Sequence, residues 1–220
     1  MQLISFQFGE KLNSKSLLTN FVLIMKKTTI ILISIIAVIV IVVFSGISKY
    51  NQLVGLEENV NSQWANVENQ YQRRADLIPN LVATVKGYAT HESETLESVI
   101  AARARATQVT VNPDQLTPEK LQEFQAAQGQ LSSALGKLLM ITENYPDLKA
   151  NQNFRDLQVQ LEGTENRIST ERTRFNEMSN GFNSTIRRFP ANIIASMFGF
   201  EKKVYFEAEA GSNQAPEVQF

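Results

Sequence analysis

The 220-residue sequence has no cysteine and a single histidine, His91. The first absence excludes disulfides, thiolate-held zinc or iron–sulfur, a thiol nucleophile and a lipid-modified cysteine. It fits an oxidising compartment as well as a reducing one. The second excludes a multi-histidine metal site. Breakers are scarce too: 6 prolines and 10 glycines, roughly 7% of the chain against about 12% on average. That scarcity favours long helices over a many-turned β fold. Neither sign of charge dominates, with 21 basic and 22 acidic side chains and a net charge of −1. Such a balance offers no basic face for nucleic acid. The length suits one domain plus accessory segments.

What is present begins with an apolar run. Thr28 to Ile47 carries no charge over twenty residues, enough at 1.5 Å per residue to cross a hydrocarbon core about 30 Å thick. A lone strand cannot satisfy its backbone in lipid, so the run is expected to be a transmembrane helix in contact with the bilayer. A cleaved signal peptide competes with this reading. Against it, the run exceeds the usual stretch of about 7–15 residues, and Phe44-Ser45-Gly46 is an indifferent cleavage site. Lys11, Lys15, Lys26 and Lys27 precede the run and only Lys49 follows closely. By the positive-inside rule the N-terminus is cytoplasmic and the domain extracytoplasmic. Met25-Lys26-Lys27 also resembles a natural start, which would make residues 1–24 an over-extended beginning and shrink that bias.

Beyond the run, apolar residues recur at steps of three and four, the signature of amphipathic helices. One stripe is Leu53, Leu56, Val60, Trp64, Val67, Tyr71, Ala75 and Ile78. A second runs from Leu81 or Val82 through Val85, Ala89, Leu96, Val99 and Arg103 to Ala106. Thr117 is a good N-cap with Pro118 in the first turn, opening a third stripe: Leu121, Phe124, Gln128, Leu131, Leu135, Leu138 and Thr142. Tyr145-Pro146-Asp147 restarts the chain. The fourth stripe includes Phe154, Leu157, Leu161, Glu165, Ile168, Arg172, Phe175, Met178, Phe182, Ile186 and Phe189. Helices near 50–77, 80–106, 118–144 and 147–187 have the lengths of an up-down-up-down bundle. Pro79 is the doubtful joint. The apolar phase continuing across it favours a kink, and the matched lengths favour a turn.

Glu92, Arg103, Gln128, Glu165 and Arg172 fall where the stepping predicts apolar residues. A buried unpaired charge is expensive. These residues therefore form internal pairs that fix helix register, or line a polar groove that binds a small ligand or lipid.

One set of motifs is more specific than periodicity. It comprises Arg73-Arg74-Ala75-Asp76-Leu77-Ile78-Pro79-Asn80-Leu81-Val82, Val85-Lys86-Gly87-Tyr88-Ala89, His91-Glu92 and Ala102-Arg103. It continues with Glu143-Asn144-Tyr145-Pro146-Asp147-Leu148-Lys149-Ala150, Phe189-Pro190-Ala191-Asn192, Gly199-Phe200 and Tyr205-Phe206-Glu207. In order and spacing the set resembles the LemA family of bacterial membrane proteins, from about Met25 to Glu207. The resemblance implies an all-α protein with a short N-terminal segment (1–27), a transmembrane helix (28–47) and an antiparallel four-helix bundle (48–207). It tips Pro79 towards a turn and implies no enzymatic activity. A magnetosome relative associates the fold with membrane organisation, an analogy at the level of fold. The family's N-terminus is expected outside the cell, opposite to the lysine count. Residues 1–24 and the polar tail 208–220 are the unusual features, and the tail is expected to be disordered.

Candidate chemistry is sparse. Arg73, Arg74 and Asp76 together have the makings of a grip on an anionic head group or partner. With a turn at Pro79 they would sit at the bundle tip, about 40 Å from the membrane, which favours a partner protein. A charged helix terminus explains them equally well. His91-Glu92 is half of a zinc motif without the other half, and a solvated histidine beside a carboxylate is the stronger reading. Glu143 and Asp147 suit a helix end followed by a cap. Residues 189–200 carry no charge and are rich in large apolar side chains. In the bundle topology this segment returns towards the bilayer. Ile193, Ile194, Met197, Phe198 and Phe200 either dip into the interface or fold back onto the core. No nucleophile–base pair, glycine-rich phosphate loop or metal cluster is legible, and nothing asks for a cofactor. The sequence therefore points to a non-enzymatic, single-pass scaffold of the bacterial inner membrane that binds other membrane or envelope proteins. A small-ligand or lipid site in the polar seam is the alternative.

Overall fold

Apolar stripes at helical spacing, with few breakers between them, become helices. The computed structural model describes residues 2–207, except the side chains of residues 2–24 and of Asp114. Among the described residues there is no strand. The elements are α1 (Gln2–Lys86), α2 (Ser93–Gln108), α3 (Pro118–Thr142), α4 (Pro146–Ala150), α5 (Gln152–Ile186) and α6 (Ala191–Phe198), with one 3-10 turn at Pro113–Gln115. The expected disordered tail 208–220 lies outside the described residues. The chain divides into two compact units between Asn51 and Gln52.

In the first unit, every residue from Met25 to Ser45 is exposed. It contains the apolar stretch of the one helix among the described residues that is long and apolar enough to cross a membrane. The hydroxyls of Thr28, Thr29 and Ser34 bond back onto the helix itself. Thr29 Oγ1 donates to the Met25 carbonyl at 2.8 Å and Ser34 Oγ to the Ile30 carbonyl at 2.9 Å. Back-bonding of this kind gives these hydroxyls an acceptor without water.

In the second unit the expected first stripe is buried, from Leu53 through Val60, Trp64 and Val67 to Ile78. The expected turn at Pro79 is not there: α1 runs through it to Lys86. Proline inside a helix costs about 3 kcal/mol. Burial of Ile78, Leu81, Val82 and Val85, at about 1.5–3 kcal/mol for each large side chain, outweighs that. The break comes instead at Gly87–Glu92, so α2 begins at Ser93 and not near residue 80.

Thr117 caps α3 as its sequence predicts, its side chain accepting from the Lys120 N–H at 3.3 Å. The long final helix is interrupted once. Asn151, in extended conformation, separates α4 from α5 and accepts from the Phe154 N–H at 3.1 Å. Two apolar clusters result. An aliphatic one gathers Ile78, Leu81, Val85, Leu96, Val99, Leu131, Leu138, Leu148, Phe154 and Leu161 among others. An aromatic one gathers Leu53, Trp64, Tyr71, Phe124, Phe175, Phe182 and Phe206.

Residues 199–207 have no helix to satisfy their backbone, and two asparagines of α5 do so. Asn183 accepts from the Lys203 N–H at 2.8 Å and donates to its carbonyl at 2.7 Å. Asn176 treats Phe206 the same way, at 2.8 and 3.0 Å. Seven helical residues rise about 10.5 Å, and three extended residues cover about 10 Å. The spacings match, so each amide meets a backbone pair in register.

Candidate functional site: an arginine layer between two cores

Between the clusters lies a polar layer built around Arg74. Its side chain is only 2% exposed. A buried cation is tolerated when its donors are occupied, and both terminal nitrogens are. Nη1 donates to Ser132 Oγ at 2.9 Å and to Glu165 Oε2 at 2.8 Å. Nη2 donates to Gln128 Oε1 at 2.7 Å and to the Gln128 carbonyl at 3.3 Å. Gln128 Nε2 in turn donates to the Ala106 carbonyl at 3.2 Å. One side chain thus links α1 to α3 and α5 directly and to α2 through Gln128. The guanidinium also lies 5.1 Å from the Tyr71 ring centre. Glu165 is 57% exposed, so its charge stays largely hydrated while its partner's does not.

Arg172 lies on the same cleft. Its guanidinium covers the Phe206 ring at 4.8 Å and donates to the Glu207 carbonyl at 3.1 Å. Burial pushes the Tyr71 hydroxyl above its ordinary range, opposed by the charges of Arg172 and Arg74. Tyr71 therefore stays protonated and does not serve as a base. Tyr71, Arg74, Gln128, Ser132, Glu165 and Arg172 border a cleft of about 90 Å³. A neighbouring cleft of about 230 Å³ shares Tyr71 and Gln128 and adds Glu68, Asn69 and Thr107. Burial raises the Glu68 carboxyl, with the Trp64 indole pulling the other way.

Arg103 has a different task. A proline at 79 has no N–H to give the Ala75 carbonyl, and Arg103 Nε donates to that carbonyl at 2.7 Å. This bond lets α1 continue through the proline with its backbone acceptor satisfied. Glu92 stands apart from all of these. It accepts from the Tyr145 hydroxyl at 2.9 Å, and that bond raises the phenol. Beside it, Asn151 Nδ2 donates to the Tyr88 hydroxyl. Glu92, Arg103, Glu165 and Arg172 consequently do not line one pocket.

The family's sequence profile matches residues 63–220. The chain belongs to the LemA family. Magnetosome protein MamQ 2 of Paramagnetospirillum magneticum is 25% identical over 178 residues, covering 73% of this chain and 65% of that protein. Magnetosome protein MamQ of Magnetospirillum gryphiswaldense is 26% identical over 183 residues, 75% of this chain and 67% of its own. Protein LemA of Metamycoplasma hominis is 24% identical over 165 residues, 75% and 72%. The chain thus spans just under two thirds of MamQ 2. None of these names carries a catalytic activity.

Several motif residues take places in this LemA-family chain that the sequence did not suggest. Arg73, Arg74 and Asp76 form no joint grip and no tip: they sit inside α1, with Arg74 buried, Arg73 exposed and Asp76 bonded to Gln72 at 2.8 Å. His91 is exposed, and among the described residues no group of three His, Asp or Glu converges to hold a metal. Glu143 pairs with Lys149. The segment after α5 divides: Ile194 and Phe200 pack against the aromatic cluster, while Ile193, Met197 and Phe198 are exposed. The stripe pattern missed Asn176 and Asn183, although each directly follows a stripe phenylalanine, Phe175 and Phe182, seven residues apart. Pairing Pro79 with Arg103 needed the fold.

Proposed function

We propose that the protein is a non-enzymatic scaffold tethered to the bacterial inner membrane. Residues 28–47 cross the bilayer once, and residues 48–207 form an antiparallel four-helix bundle that holds other envelope proteins against its surface, on the extracytoplasmic side. The observation that carries this reading is the fully exposed apolar run of the first unit. In water it would far exceed the few hundred Å² that a soluble monomer exposes as one patch, and lipid removes that cost. The bundle arrangement is supported by bonds at its two ends. Tyr145–Glu92 and Asn151–Tyr88 join the break after α1 to the residues on either side of α4. Trp64 Nε1 donates to the Val111 carbonyl at 3.3 Å beyond the other end of α2. The polar seam groups serve internal bonds, which leaves the outer surface for partners. Crosslinking in native membranes followed by mass spectrometry is expected to recover envelope proteins. Recovery of lipid alone would sink the scaffold reading, and extraction of the full chain by alkaline carbonate would sink the anchor.

A second reading, a ligand site in the seam, has the Arg74–Arg172 cleft in its favour. At about 90 Å³ that cleft takes a small ion or a few waters, well below the roughly 300 Å³ at which ligand pockets begin.

A further inference from the structure

We propose that the exposed face of α6 rests on an anionic lipid surface. Ile193 and Met197 stand four residues apart, so they share one side of α6, and Phe189 lies in the turn two residues before the helix. Phe189, Ile193 and Met197 are 81%, 52% and 69% exposed. The opposite side is fixed: Ala191 and Ala195 are buried, and Ile194 packs against the aromatic cluster. The outward turn of the large residues is therefore imposed by the packing of the small ones. Residues 189–200 carry no charge. Arg187 and Arg188 precede them and Lys202 follows, all exposed and none in an ion pair among the described residues. Glu201 is the acid nearest to them in sequence, and Glu57 is taken up by Lys203. An apolar face bordered by cations suits the boundary between acyl chains and anionic head groups.

The position of α6 in its unit agrees. Lys203 Nζ meets Glu57 Oε1 at 2.6 Å, and Leu53 shares the aromatic cluster with Ile186 and Ala195. The segment therefore lies at the end of the second unit where the chain enters it. Five residues separate Leu53 from Ile47, and chain length alone keeps Leu53 within about 20 Å of the end of the apolar run. This inference rests on the reading of residues 28–47 as a bilayer-crossing segment.

The absence of cysteine makes the test direct. Met197→Cys, Val159→Cys on the exposed side of α5 and Val40→Cys in the apolar run each take one environment-sensitive fluorophore. The full chain is placed, one copy per nanodisc, in phosphatidylcholine with phosphatidylglycerol. The label at 197 is expected to be quenched by lipids carrying a nitroxide near the head group and to resist aqueous iodide several-fold better than the label at 159. That protection falls in phosphatidylcholine alone and in the Arg187→Ser/Arg188→Ser variant. Equal iodide access at 197 and 159 overturns the inference. So does protection from iodide without nitroxide quenching, which would mean that protein covers the face. A label at 40 untouched by deep nitroxides would instead remove the anchor, and this inference with it.

Discussion

The two cores of the second unit are built from different stock. The aliphatic one takes Leu, Val, Ile and Ala, all but Ala89 from helices that succeed one another in the chain, with Phe154 and Leu161 as its last members. The aromatic one clusters Phe124, Phe175 and Phe206 around Trp64, with ring centres 5.4, 5.5 and 5.7 Å from the indole. It also borrows Val111 from a loop and Phe206 from a non-helical segment. Leucines at helical spacing need only a facing stripe. A ring cluster needs particular partners, and here it recruits them from outside the helices. The Arg74 layer sits where one kind of packing gives way to the other.

The largest expected effect tests whether the two cores unfold together. Phe175→Ala opens a cavity beside the rings of Trp64 and Phe206 and is expected to lower stability by about 4 kcal/mol. Urea unfolding of the full chain would be followed by Trp64 emission and by helicity. Because α1, α3 and α5 contribute to both cores, the two signals should move together. Trp64 responding well before the helices would show that the cores are independent.

Next comes the layer itself. Arg74→Ala removes the cation and its packing and is expected to cost about 3 kcal/mol. Arg74→Met, of similar volume, should cost under about 1 kcal/mol. Glu165→Gln should also fall below about 1 kcal/mol, because the carboxylate is mostly hydrated. Equal losses for Arg74→Ala and Glu165→Gln would move the weight of the layer from the arginine to the pair.

Arg103→Met leaves the Ala75 carbonyl without its donor and should cost about 1–2 kcal/mol. In a Pro79→Ala background the restored N–H takes that carbonyl, and the same change should cost less. The two positions would then show a coupling of about 0.5 kcal/mol or more. Additive losses would show that the arginine acts elsewhere.

The smallest effect belongs to Glu68. Its folded carboxyl is raised, so between the ordinary and the raised value the folded state holds more protons and stability falls as pH rises. Above that window the charged form is a burden. Glu68→Gln should therefore gain a few tenths of a kcal/mol at neutral pH, discounted for its partial exposure. The gain should vanish once the pH drops below the ordinary carboxylate range. Midpoints of unfolding measured across that range decide it.

Much of this was legible in the sequence. The stripes named the buried residues of α1, α3 and α5 well, because each periodic run faces one core and periodicity reports faces. Among the apolar members Met178 and Phe189 are the exceptions: they keep the phase but stand exposed, with Ser179 buried beside the first. The break near residue 80 was misplaced because proline is read as a local stop, whereas its missing hydrogen bond is compensated by Arg103 from another helix. No window of sequence contains that compensation. Polar seam positions were visible as departures from the pattern, but their partners were not. Glu92 meets Tyr145, Glu165 meets Arg74, and Arg172 meets a backbone carbonyl and a ring. The asparagine clamp was invisible for the same reason, since it serves a segment with no periodicity of its own.

The late members of the aromatic core also set an order of events during synthesis. Every residue of the aliphatic core has been added once Leu161 is in place, whereas the indole of Trp64 waits for Phe206. At about 5–20 residues per second, the intervening stretch of about 45 residues takes the ribosome some 2–9 s. During that interval one half of the domain has all its parts, while the other presents a half-covered tryptophan to whatever stands near the translating chain.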